Sequence, residues 1–359
     1  MRTTAFILAF AMVLSASNCS SQTENRIERM ADHFESTMED FEDSMEVLED
    51  MMEDLGDYFA DRDVTFNCND YSYVVKGKKG GKKITISKKD ALVTFKFPVA
   101  NFNAIDAGRS FQVVMCDTVD SIVVRVNEKL KNHLNVRYNN GTLIVDLDRV
   151  NSLNTNDGAR CGYVYIPYNL RLSKITLNGI ASFSTTLPIN TTNFRTELSG
   201  ASHIYIPSIT ARNVELSQCG TSSCKSDIKC TNLDVDLSGA SEIKGTINAN
   251  NIDLDLSGTS TMTSHITCND IDVDLSGASG VVLTGKANKV EMDLSGTSTF
   301  RGIKLNASEV SGGLSGCSSA DIYCSKYIEM ELSGTSQLSY SGNPKTSFSA
   351  SRTSKIEHN

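Results

Sequence analysis

The chain has 359 residues, 40% of them hydrophobic, with ten cysteines, no tryptophan and a net charge of −9. That length suits one large domain plus an appendage. Residues 24–63 hold 16 Asp/Glu against three Arg, a balance of −13 that leaves about +4 elsewhere; no concentrated basic face accompanies aromatic residues, which argues against a nucleic-acid partner.

The chain opens Met1-Arg2, then an apolar run from Ala5 to Leu14, then Ser15, Ala16 and Ser17 before Cys19. A positive end, a short apolar segment and a small-residue exit predict a signal peptide over residues 1–18. The run is too short to span a bilayer. Ala16-Ser17-Asn18-Cys19 resembles a bacterial lipobox, so Cys19 is the candidate lipid anchor; ordinary cleavage after Ala16 or Ser17 is the plainer alternative. The expected location is outside the cytoplasm, as an outer-membrane lipoprotein on its periplasmic or surface side, or else periplasmic or secreted.

Apolar residues then fall at Phe34, Met38, Phe41, Met45, Leu48, Met52, Leu55 and Phe59. This a/d spacing predicts an acidic heptad helix over residues 23–63, a coiled-coil pattern. Its acidic flanks would repel a second identical strand. Docking on a basic surface or an envelope partner therefore competes with self-association through residues 34–59. Next, residues 64–93 read as a basic β-hairpin. Tyr71–Val75 and Ile84–Ser87 alternate like strands on either side of Lys76-Gly77-Lys78-Lys79-Gly80-Gly81-Lys82-Lys83.

Repetition dominates the rest. Leu-Ser-Gly-Ala-Ser or a close variant starts at Leu198, Leu237, Leu256, Leu275, Leu294, Leu314 and Leu332, with degenerate copies at Leu177 and Leu216. Before each corner the chain alternates, as in Leu233-Asp234-Val235-Asp236-Leu237, the pattern of a half-buried strand. Glycine supplies the positive φ of the corner. One unit cannot bury its apolar face alone, whereas stacked units can. The fold class is therefore all-β: a right-handed parallel β-helix of roughly 19-residue coils over residues 94–350, preceded by the acidic α-helix and the hairpin. Strands near residues 103–108, 121–126 and 141–147 read as its first, less regular coils.

Phe102-Asn103-Ala104-Ile105, Asn140-Gly141-Thr142-Leu143-Ile144-Val145, Tyr163-Val164-Tyr165-Ile166-Pro167 and the serial Leu-Ser-Gly-Ala-Ser units together resemble the autotransporter-adhesin "head GIN" domain family, DUF2807. The resemblance covers about residues 94–345. It implies a β-helical envelope protein with an adhesin-like role. The family's Gly-Ile-Asn step falls near Ser110-Phe111-Gln112, where this sequence departs from it.

Outward positions carry acids in register. One row reads Asp234, Asp253, Asp272 and Glu291, then Glu329; a second reads Glu197, Glu215, Asp236, Asp255, Asp274, Asp293 and Glu331, broken at Gly313. At a strand spacing of ~4.8 Å, like charges repel by roughly 1 kcal/mol or less in water and several times that near a surface. A solvated strip that keeps sheets apart is the plainer reading. Calcium on the oxygen-only ladder Asp234, Asp236, Asp253, Asp255, Asp272, Asp274, Glu291 and Asp293 is the sharper one.

No catalytic constellation is visible: the serines belong to the turn repeat, and no CxxC pair or phosphate loop appears. A β-helical polysaccharide lyase would need a basic Lys or Arg beside the acids, yet Lys244, Lys289 and Lys304 are scattered. The expectation is a non-enzyme that binds or displays, with no cofactor beyond calcium and an unnamed partner. A structural role for the acidic helix is the alternative. Cys219 and Cys317 are read at the small-residue place after the corner, and Cys230 and Cys268 two coils apart, beyond disulfide reach. Cys219 with Cys224 stays open.

Overall fold

The computed structural model describes residues 64–68, 71–75, 83–168 and 172–359. The signal peptide, Cys19 and the acidic heptad segment lie outside these residues. The chain divides into two units, residues 1–84 with 149–154, and residues 85–148 with 155–359. In the first, Val64–Cys68 pairs antiparallel with Tyr71–Val75. Lys83–Ile86 pairs with Ser152–Thr155 instead of with Tyr71–Val75 across the lysine-rich stretch. Only two residues separate 64–68 from 71–75, so that closure costs less chain entropy than one across residues 76–82. The lysine-rich connection itself lies outside the described residues.

The second unit is a β-solenoid of stacked coils. One column of strands runs through Ala104–Ala107, Lys174–Leu177, Asn193–Leu198, Asn213–Gln218, Asn232–Leu237 and Asn251–Leu256, each parallel to the next. It continues through the later halves of the long strands Thr261–Leu275, Gly280–Leu294, Thr299–Leu314 and Ser319–Leu332. A second column stacks Phe111–Cys116, Ser182–Thr185, His203–Thr210, Ser223–Lys229 and Glu242–Asn248 in the same parallel sense. Inward side chains form the core: Leu233, Val235 and Leu237 are 2%, 1% and 0% exposed, and their outward neighbours Asp234 and Asp236 are exposed. Burying one such side chain contributes on the order of 1.5–3 kcal/mol.

Each part of the repeat has a structural task. Gly239 has φ +72, and a Cβ there would lie 2.5 Å from the carbonyl oxygen of Gly220 in the preceding coil. Only glycine meets both conditions. The second serine is buried, and its hydroxyl closes the corner: Ser260 Oγ donates to the Ser257 carbonyl at 2.7 Å, and Ser241 Oγ to that of Ser238 at 2.7 Å.

Two expectations need correction. The first strands are not plain coils. Ile122–Asn127 runs antiparallel to both Leu92–Phe97 and Gly162–Pro167, and Leu134–Asn139 folds back on Thr142–Leu147. Asn140 and Gly141, with φ of 46° and 75°, make that tight turn. The antiparallel strands continue both columns at the N-terminal end, where a parallel edge would otherwise stand open.

The degenerate copy is also displaced. Gln218, not Leu216, stands in register with Leu237, and Gly220 supplies the corner with φ +78. Cys219 therefore takes the place of Ser238, and Glu215 moves to the Asp234 row. Among the described residues the one helical element is the short turn Glu128–Leu130, and no helix is long and apolar enough to cross a membrane.

Candidate functional face

The alternation that buries leucine turns the intervening carboxylates outward. Glu215, Asp234, Asp253, Asp272 and Glu291 stand opposite one another on five successive coils. Ser311 interrupts this row before Glu329. Beside it run Asp236, Asp255, Asp274 and Asp293, ended by Gly313 and resumed at Glu331. All eight ladder residues of the sequence reading thus share one sheet face in two rows. Ser217 lies between Glu197 and Asp236 in the second row.

Electrostatics divide the face. At its N-terminal end the acids are neutralised: Arg195 bridges Glu197 at 2.8 Å and Glu215 at 2.7 Å, and Lys174 meets Glu197 at 2.8 Å. The Lys174 ammonium, with Arg195, holds the Glu197 carboxyl below its ordinary value despite some burial. At the other end Lys289 holds Glu291 at 2.7 Å. Between them Asp234, Asp236, Asp253, Asp255, Asp272, Asp274 and Asp293 have no ion pair among the described residues. Burial, reinforced by neighbouring carboxylates, pushes Asp234, Asp255, Asp272 and Asp274 above the ordinary value.

Two open grooves follow the rows. One, of about 640 Å³, is lined by Asp236, Asp255, Asp274 and Asp293 with the first serines of the corners. The other, of about 870 Å³, runs along the first acid row beside an asparagine ladder. In that ladder Asn213 donates to Asn193 at 2.8 Å, Asn232 to Asn213 at 2.9 Å and Asn251 to Asn232 at 2.9 Å. The ladder escaped the sequence reading, although its signal was present: each asparagine lies five residues before a corner position.

This arrangement is poorly suited to acid–base catalysis. The carboxylates stand in rows instead of converging, and among the described residues no three His, Cys, Asp or Glu side chains are grouped to hold one metal ion. Lys289, hydrogen-bonded to Glu291, has its pKa raised, the wrong direction for a general base. Lys244 is paired with Glu242 at 2.6 Å. The corner serines that would be nucleophile candidates are buried hydrogen-bond donors to backbone. The eight cysteines from Cys116 to Cys324 are free, with Cys219 and Cys317 exposed and Cys224 and Cys268 buried.

A family model described as "Putative auto-transporter adhesin, head GIN domain" matches residues 101–246 and 238–344. Among solved structures, a "putative adhesin" of Parabacteroides merdae is 16% identical, with a TM-score of 0.44 over 77% of this chain and 99% of that one. A "putative adhesin" of Parabacteroides distasonis is 14% identical, with a TM-score of 0.43 over 77% and 100%. A "putative lipid binding protein" of Parabacteroides distasonis is 15% identical, with a TM-score of 0.39 over 77% and 100%. No curated protein matches the chain.

Proposed function

Because the chain belongs to the family described as "Putative auto-transporter adhesin, head GIN domain", we propose that it is an exported, non-catalytic binding or display protein of the cell envelope. One observation carries this reading. The leucines, glycines and buried serines of the repeat are consumed in building the coil, which leaves outward faces of regular charge as the chemically available surface. A rigid stack of coils holds such faces at a fixed spacing, which suits recognition of an extended partner more than the turnover of a small substrate.

In this reading Cys19, lipidated after removal of residues 1–18, anchors the chain to the outer membrane, and residues 24–63 separate the anchor from the solenoid. Intact mass and detergent partitioning of natively expressed protein test it, beside Cys19→Ala. A lipid-sized mass increment lost in the variant supports the anchor, and protease accessibility on whole cells then decides display. An unmodified wild-type mass would refute the anchored reading.

The seven carboxylates without an ion pair support a second role for the same face, the attraction of calcium along the rows as a shared counter-charge. Calorimetry with millimolar calcium should give heat that falls in Asp255→Asn/Asp274→Asn. No heat from the wild type would dismiss this role.

A further inference from the structure

The second column carries an outward surface of different chemistry. Lys96 lies opposite Val123, Val123 opposite Tyr165, and Tyr165 opposite Val114. The same row continues through Ser184 to Tyr205, Lys225 and Lys244. Arg125 stands beside it, one pleat away on the strand of Val123. Tyr205 is 47% exposed, the four cations are exposed and Tyr165 is half-buried. The eight strands concerned contain two carboxylates: Glu242, already paired with Lys244, and Asp227, which accepts the Thr246 N–H at 2.8 Å. Among the described residues no ion pair engages Lys96, Arg125 or Lys225.

We propose that this row is a binding surface for a linear acidic polysaccharide lying along the solenoid axis. Seven strand steps separate Lys96 from Lys244, about 34 Å, with Tyr165 and Tyr205 about 14 Å apart between them. A phenol ring offers an apolar face to sugar C–H groups and a hydroxyl to sugar oxygens. The flanking cations give ring carboxylates charge-assisted partners. Lys225 Nζ lies 5.9 Å from the centroid of the Tyr205 ring, so stacking and charge are already organised at one point.

Other anionic partners fit less well. Duplex nucleic acid would call for a more continuous run of cations than two pairs, Lys96 with Arg125 and Lys225 with Lys244, at the ends of the row. A lipid surface would call for bulky apolar side chains to insert, where this row has the half-buried Val114 and Val123. The surface is separate from the acidic face, and rests on the proposed function only for the setting in which a glycan is met.

The test is retardation of the purified full chain in gels containing polygalacturonate, which is independent of anchoring or display. Neutral dextran, duplex DNA and phosphatidylglycerol vesicles are run alongside. Polygalacturonate should retard the protein and dextran should not. Lys225→Gln/Lys244→Gln and Tyr205→Ala should each weaken binding by about tenfold or more. Lys326→Gln, which removes an exposed lysine outside this row, should leave binding unchanged, and all variants should keep the circular dichroism of the wild type. The proposal is overturned if these substitutions leave affinity unmoved, if DNA or vesicles bind more tightly, or if no retardation occurs.

Discussion

Gln218 stands in register with Leu237 of the next coil and with Leu198 of the one before, so a primary amide interrupts the leucine column. It is 3% exposed, and neither amide atom has a hydrogen-bond partner. Leaving such a group buried and unpaired costs about 1–3 kcal/mol. Gln218→Leu is expected to stabilise the solenoid by on the order of 2 kcal/mol, read as a higher urea midpoint. A midpoint that stays put or falls would mean that the amide has a partner or a task.

The corner glycine should tolerate nothing larger. Gly258, with φ +71 and a would-be Cβ 2.5 Å from the Gly239 carbonyl oxygen, is both left-handed and in contact with backbone. Gly258→Ala is expected to cost on the order of 2–4 kcal/mol. Ala278→Thr, one coil later at the place just after the corner glycine, where Thr259 and Thr297 stand in the neighbouring coils, should be close to neutral. Equal urea midpoints for the two variants would contradict this account of the repeat.

The acid rows set a pH dependence. Asp255 and Asp274 have folded pKa values raised by burial and then by like charge. The folded state therefore binds their protons more tightly than the unfolded chain does. Their contribution is most favourable below the unfolded value and is lost as pH rises through the folded one. Asp255→Asn/Asp274→Asn should raise the urea midpoint at pH 7, and the gain should shrink as pH falls through the carboxylate range. Added salt should shrink it too, by screening the rows. A gain that is independent of pH would point to packing instead of charge.

Thiol chemistry should sort the cysteines by burial. Burial pushes the Cys224 and Cys268 thiols up to about 12, so few thiolates form at neutral pH. Cys219 and Cys317 are exposed at a corner. Among the eight cysteines from Cys116 to Cys324, iodoacetamide at pH 8 should label Cys219 and Cys317 in the native protein, and Cys224 and Cys268 only in denaturant. Peptide mapping reads the result. Rapid native labelling of Cys224 would contradict the closed core.

The coil period and the acid rows could be read directly because strand alternation and the Leu-Ser-Gly corner are local signals. The coil around residue 218 misled for the same reason. Leu216 followed by Ser217 imitates the motif, while the true corner position holds glutamine, and only strand pairing reveals the two-residue offset. The antiparallel strands near the N-terminal end follow from pairings out of chain order: Gly162–Pro167 inserts between Phe111–Cys116 and Ile122–Asn127. The row from Lys96 to Lys244 was hidden by this same insertion, which brings Tyr165 beside Val114 across some fifty residues of sequence.

From Leu237 to Leu294 successive corners recur every 19 residues, and the strands that carry the two acid rows pair there without a shift in register. A whole turn could be excised or duplicated in that stretch, and each cut end would meet a surface equivalent to the one it left. Reach along the axis is thus a quantity that evolution can adjust in steps of one strand spacing, with corner geometry and core composition held constant. The molecule is a ruler whose length can change independently of its markings.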